Sequence, residues 1–118
     1  MFSLLSFVCS FIFFILTVYT SLAQSNAFVF HKLGIKDGLS EGTVRSISSD
    51  KKGYMWFGTE NGLNKYDGYN FTVYLNQKDN PYSINSNRIK YIFNDSKGNL
   101  WIGTRQGLNV YDPLKNRF

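Results

Sequence analysis

Apolar residues run almost unbroken from Phe2 to Tyr19, with no charge among them. After Ala23 the pattern changes, and apolar positions come in short runs separated by clusters of Gly, Asp, Asn, Lys and Ser. Such runs, rich in β-branched and aromatic residues and bounded by turn formers, read as strands. The pattern predicts a β-prone run at 28–33 and strands at 44–49, 54–59, 63–66 and 71–75, with a second set at 89–94, 100–104 and 108–111. Met55, Trp56 and Phe57 are apolar at consecutive positions, which in a strand means burial on both faces. No stretch reads as a long amphipathic helix.

The turns between these strands have their own chemistry. In Asp50-Lys51-Lys52-Gly53 the Asp side chain can bond the backbone two residues on, and Gly53 supplies the positive φ that closes the turn. Glu60-Asn61-Gly62 contains Asn-Gly, a strong hairpin signal. Asp67-Gly68-Tyr69-Asn70 turns the chain again into the fourth strand. The second set repeats these turns as Asp95-Ser96-Lys97-Gly98 and Arg105-Gln106-Gly107, with Asp112-Pro113 in place of Asp67-Gly68.

The repetition is general. Trp56-Phe57-Gly58-Thr59-Glu60-Asn61-Gly62-Leu63-Asn64-Lys65-Tyr66-Asp67 recurs as Trp101-Ile102-Gly103-Thr104-Arg105-Gln106-Gly107-Leu108-Asn109-Val110-Tyr111-Asp112, an offset of 45 residues that holds without a gap from Leu39/Ile84 onward. A period of this length with about four short strands per unit is the sequence form of a β-propeller blade. The expected fold class is therefore all-β: two four-stranded antiparallel blades, at 37–81 and 82–118, the second stopping where its fourth strand begins. A propeller closes with roughly four to eight blades, so the chain reads as the amino-terminal part of a longer protein. In a closed ring the run at 28–33, within the segment 24–36, has a natural use as a strand added to the final blade, tying the chain ends together. Gly58 and Gly103 predict a close approach by an aromatic ring or a neighbouring backbone. The indoles of Trp56 and Trp101 each need a partner for N–H, and Thr59 and Thr104 are placed to bond the turns that follow them.

Composition adjusts this picture in three places. The leader ends in Ser21-Leu22-Ala23, small residues at a cleavage-like position, and reads as a secretory signal peptide over 1–23. No Lys or Arg precedes its apolar run, so an uncleaved membrane anchor is the alternative. Cys9 is the only cysteine and lies inside the leader, so the mature chain has neither disulfides nor thiolate metal sites. All 13 basic and 8 acidic residues follow the leader, giving a net charge of +5, but the signs alternate and form no block. A nucleic-acid surface would concentrate its Lys and Arg on one face; a solvated blade rim accounts for this distribution.

The pattern Asp-x-x-Gly-x-Leu/Met-Trp-Phe/Ile-Gly-Thr-x-x-Gly-Leu-Asn-x-Tyr-Asp, present twice, resembles the two-component-regulator propeller repeat. Asp37-Gly38-Leu39-Ser40 and the leader are similar to the start of such sensors. The resemblance covers about residues 30–118. It implies an exported, periplasmic pair of seven-bladed propellers, followed in the parent by a further β-domain, a membrane span and a cytoplasmic histidine kinase. It also implies a carbohydrate-responsive sensor, with an oligosaccharide ligand, the remaining blades and a second copy of the parent as partners. The membrane would enter only through the leader or a downstream span. The alternative is an exported propeller of another class, a lyase-like enzyme or an adhesion module.

The chain itself reads as non-enzymatic. His31 is the only histidine, the acids fall mostly in turns, and no phosphate loop opens a helix. No metal or other cofactor is expected. Propeller geometry places any ligand at the end where the second-to-third-strand loops meet the links into each first strand. The candidates there are Glu60, Asn61, Asn85, Asn87, Arg88, Arg105 and Gln106, donor-rich groups that suit sugar hydroxyls and equally suit solvated turns.

Overall fold

The computed structural model describes residues 2–20 and 27–118, without the side chains of residues 2 and 15–20. The chain divides into two compact units, residues 1–31 and 32–118. In the first, the apolar run forms α1 (Phe2–Thr20), with no acidic residue in its first turn and no basic residue in its last. The cleavage position predicted after Ala23 lies outside the described residues. Among the described residues no helix is long and apolar enough to cross a membrane, and part of the run over which the anchor alternative extends falls among the side chains left out. Cys9 is exposed on α1.

Residues 28–33 were expected as a strand, but they join neither sheet, and Phe28, Val29 and Phe30 are exposed. A strand exists only against a partner's N–H and C=O groups. The partner predicted for this run was a final blade, which is neither of the two sheets present. His31 is exposed in the same irregular stretch.

The second unit is antiparallel throughout. β1 (Val44–Ser49), β2 (Met55–Thr59), β3 (Gly62–Tyr66) and β4 (Phe71–Tyr74) form one sheet in chain order. β5 (Ile89–Asn94), β6 (Leu100–Thr104) and β7 (Gly107–Tyr111) form the other. These are β-propeller blades, the first a complete four-stranded meander. After β7 comes an isolated antiparallel bridge from Asp112 to Arg117, where the fourth strand was expected to begin. The registers repeat, with Met55 opposite Tyr66 and Leu100 opposite Tyr111, and each first strand carries a bulge at the same place, between Val44 and Ser46 and between Ile89 and Tyr91.

Each blade is closed by the carboxylate of its first turn. Asp50 accepts the Lys52 N–H at 2.9 Å, the Tyr54 N–H at 3.1 Å and the Trp56 indole N–H at 2.9 Å. Asp95 accepts the Asn99 N–H at 2.8 Å and the Trp101 indole N–H at 3.0 Å. The same residue thus makes the turn and satisfies the indole packed behind it. Gly53 and Gly98 have φ of 86° and 87°, as that turn requires. The second hairpin differs from the Asn-Gly expectation: neither Glu60 nor Asn61 has positive φ, and only Gly62, at 125°, takes it up as the first residue of β3. Thr59 fixes this turn by accepting the Asn61 N–H at 3.1 Å and donating to the Gly62 carbonyl at 2.9 Å; Thr104 likewise accepts the Gln106 N–H at 3.1 Å, with its hydroxyl 3.1 Å from the Gly107 carbonyl.

The core lies between the blades. Trp56, Leu63, Ile84, Ile89, Ile92, Leu100, Ile102 and Tyr111 are buried together. Trp56 is fully enclosed, its ring 4.9 Å from Tyr111 and 5.8 Å from Tyr74. Gly58 leaves space for the Ile89 and Ile92 side chains of the next blade, so the close approach predicted there comes from isoleucines, not from an aromatic ring or a backbone. The inner strands are cross-linked by Ser46 Oγ, which accepts the Ile92 N–H at 3.0 Å, and by Ser48 Oγ, which accepts the Asn94 amide at 2.9 Å. Burial of the Met55-Trp56-Phe57 run is complete only at Trp56, which faces blade two; Met55 and Phe57 on the opposite face are half-buried.

Candidate functional site

At one end of the blades the β2–β3 turn and the link into the first strand run side by side. Glu60 N–H donates to the Thr43 carbonyl at 3.3 Å, and its repeat counterpart Arg105 N–H donates to the Arg88 carbonyl at 3.1 Å. The two blades are stitched at the same end by Gly62 N–H, 2.7 Å from the Asn87 carbonyl. A groove of about 600 Å³ opens there, lined by Arg45, Glu60, Arg88, Ile89, Lys90, Tyr91 and Arg105. Both blades therefore contribute to it.

Glu60 is its electrostatic pivot. One carboxylate oxygen lies 2.6 Å from Arg45 Nε and the other 3.5 Å from Arg88 Nε. Arg45 comes from β1 and Arg88 from the link into β5, so a single carboxylate draws one guanidinium from each blade to the same spot. All three side chains are partly open to solvent, with relative exposures of 56% for each arginine and 34% for Glu60, and exposed pairs of this kind contribute at most about 1 kcal/mol. Their effect is on position: two guanidiniums that would repel are held side by side. Arg105 and Lys90 add two further cations and make no ion pair among the described residues.

Of the seven residues singled out from sequence, Glu60, Arg88 and Arg105 line this groove. Asn85 is committed elsewhere: its Oδ1 accepts the Thr104 hydroxyl at 2.6 Å and the Asn109 amide at 2.9 Å. Asn87 Oδ1 accepts the Asn76 N–H at 2.6 Å. Asn61 and Gln106 occupy the turns, tied down through their backbone N–H groups to Thr59 and Thr104, with their side chains exposed and away from the groove. Sequence reasoning missed Arg45, Lys90 and Tyr91. A signal for two of them was present, because Arg45 and Lys90 are repeat partners at the 45-residue offset, both basic and both exposed. Their place inside predicted strands drew attention away from them. Among the described residues no group of His, Cys, Asp and Glu is arranged to hold a metal ion.

The profile of the two-component regulator propeller matches residues 38–61 and 83–106, one match per blade. Histidine kinase P4 of Formosa agariphila is 45% identical over 62 residues, which is 52% of this chain and 4% of that protein. The solved extracellular domain of a protein from B. thetaiotaomicron, ascribed to a hybrid two-component system, is 39% identical with a TM-score of 0.66, over 73% of this chain and 12% of that one. A second extracellular domain from the same organism, ascribed to a one-component system, is 30% identical with a TM-score of 0.58, over 74% of this chain and 13% of that one. The chain thus spans a small share of each relative's length. Both of its blades are two-component regulator propeller repeats.

Proposed function

We propose that the chain is part of the extracytoplasmic ligand-sensing propeller of a two-component regulator, responding to an oligosaccharide and passing the signal to a histidine kinase elsewhere in the protein. The observation that carries this reading is the pair of repeats, each closed by the same Asp–Trp bond and together framing one open groove. The kinase relative and the extracellular domains of similar structure support it, and the apolar leader suits export to the periplasm. The chain acts by binding: its acids close turns or hold arginines, and the groove pairs no nucleophile with a base. A ligand that binds only the folded state raises stability in proportion to the logarithm of its concentration over Kd. The mature protein, as the cell makes it, is to be melted with a panel of neutral and acidic plant, algal and host-glycan oligosaccharides. At least one raises the melting temperature in a saturable manner, and a panel without any such effect would sink the sensing reading.

A further inference from the structure

We infer that the groove between the two blades takes an acidic oligosaccharide, one bearing carboxylate or sulfate groups on its sugar rings; this deepens the sugar-sensing reading and rests on it. Four cations, Arg45, Arg88, Lys90 and Arg105, share the groove with one carboxylate, Glu60. Glu60 holds Arg45 through Nε at 2.6 Å and lies 3.5 Å from Arg88 Nε. Both arginine side chains are more than half exposed, which leaves them open to the paired contacts that guanidiniums make with carboxylates and sulfates. With Arg105 and Lys90 lacking carboxylate partners among the described residues, the groove concentrates positive charge, and a bound anion would relieve it.

The neutral groups point the same way. Asn85 and Asn87 do not line the groove, and their carbonyl oxygens accept hydrogen bonds from the scaffold. The groove offers a ligand four cations, one carboxylate already engaged by Arg45, and one aromatic face: Tyr91 lines it and is 73% exposed. An aromatic ring beside fixed cations suits a sugar ring carrying an anionic substituent better than a bare ion. The volume, about 600 Å³, is that of a site for a short oligosaccharide rather than a polymer track.

Isothermal titration calorimetry on the mature protein tests this with five probes: a galacturonic acid tetramer, its fully methyl-esterified form, a sulfated chondroitin disaccharide, sodium sulfate and a short oligothymidylate. At least one acidic sugar binds while the methyl ester does not, and raising salt from about 20 to about 200 mM weakens the binding. Arg105→Gln and Lys90→Gln, which remove no ion pair of the fold, each weaken it about tenfold with an unchanged circular dichroism spectrum. Equal binding of the methyl ester, unaffected by Arg105→Gln, would overturn the acidic class and leave sugar sensing standing. Sulfate or oligothymidylate binding as tightly as the sugars would show general anion attraction and also overturn it. Silence from both acidic sugars removes it too, whereas silence across the broader oligosaccharide panel removes the sensing reading itself.

Discussion

Trp56 shows what one residue does here. Its ring is fully enclosed between Tyr74 and Tyr111, and its N–H is spent on Asp50. Trp56→Ala therefore costs about 3–5 kcal/mol in denaturant unfolding of the mature protein, the usual range for emptying an aromatic core site. Trp101 holds the equivalent place in blade two but is only half-buried, so Trp101→Ala costs less in this chain; equal melts of Trp56→Ala and wild type would show the first ring to be solvated. Two other groups make stability depend on pH. Burial, reinforced by the neighbouring Tyr111 hydroxyl, pushes the Tyr74 phenol above its usual value of 10. Its contribution is complete below pH 10 and is lost as pH rises through the folded value. The Trp101 indole, then Asn99, hold the Asp95 carboxyl well below 3.8, so its contribution is complete above 3.8 and disappears as pH falls toward the folded value. Melting temperature against pH should fall off at both ends, and Tyr74→Phe should flatten the alkaline limb alone. A sequence reader sees that Asp50 can close a turn and that an indole wants an acceptor. That each is the other's partner depends on a six-residue hairpin geometry that neither residue type reveals.

Between elements, the decisive contact is Gly58 of β2 against β5. A Cβ built at Gly58 would lie 2.5 Å from Ile89 Cγ2 and 3.3 Å from Ile92 Cδ1, too close for either side chain to stay. Gly58→Ala accordingly destabilises by about 1–3 kcal/mol through overpacking. The cost should be non-additive with Ile89→Ala, because the second change empties the space that the first one needs. A double-mutant cycle with no coupling would place the clash somewhere else. The strands themselves were legible, since β1, β5 and β6 fall where alternation and turn residues put them and the others differ by a residue at an end. The Gly58 role was legible only in outline: glycine in a strand announced a close approach, but the approaching residue lies 31 positions away in the next repeat. The amides of Asn64, buried, and Asn109, half-buried, escaped notice for a similar reason. Asn64 accepts the Ser40 N–H at 2.9 Å and Asn109 accepts the Asn85 N–H at 3.1 Å, so each pins the link that enters its own blade, a long-range contact hidden in an ordinary strand position. That link is also why Asn85, which looked like a ligand residue, belongs to the scaffold.

At the scale of the whole molecule, what the blades lack follows from what they share. Blade one's inner face is covered by Ile89 and Ile92 of blade two. Ile47, the repeat counterpart of Ile92, is 55% exposed, and Gly103, the counterpart of Gly58, has nothing nearer its would-be Cβ than Tyr91 at 3.8 Å. The knob of one blade and the hollow of the other are thus both open, together with Phe93 and Leu108. The strand edges of β4 and β7 are unpaired by any further strand among the described residues. Knob and hollow are complementary copies of a single interface and lie on opposite outer faces, so a second molecule can dock in the same sense and a third upon it, as an open chain or, where the blade-to-blade rotation completes a turn, as a ring. Residues 24–118 expressed alone should therefore elute from size-exclusion chromatography as polydisperse aggregate and melt without a sharp transition. Ile47→Lys, which puts a charge on the knob, should shift the profile toward smaller species by blocking that end-to-end contact. A single monomer peak with a cooperative melt in the unmodified protein would mean that the two blades bury enough by themselves, and that the open knob and hollow are not sticky.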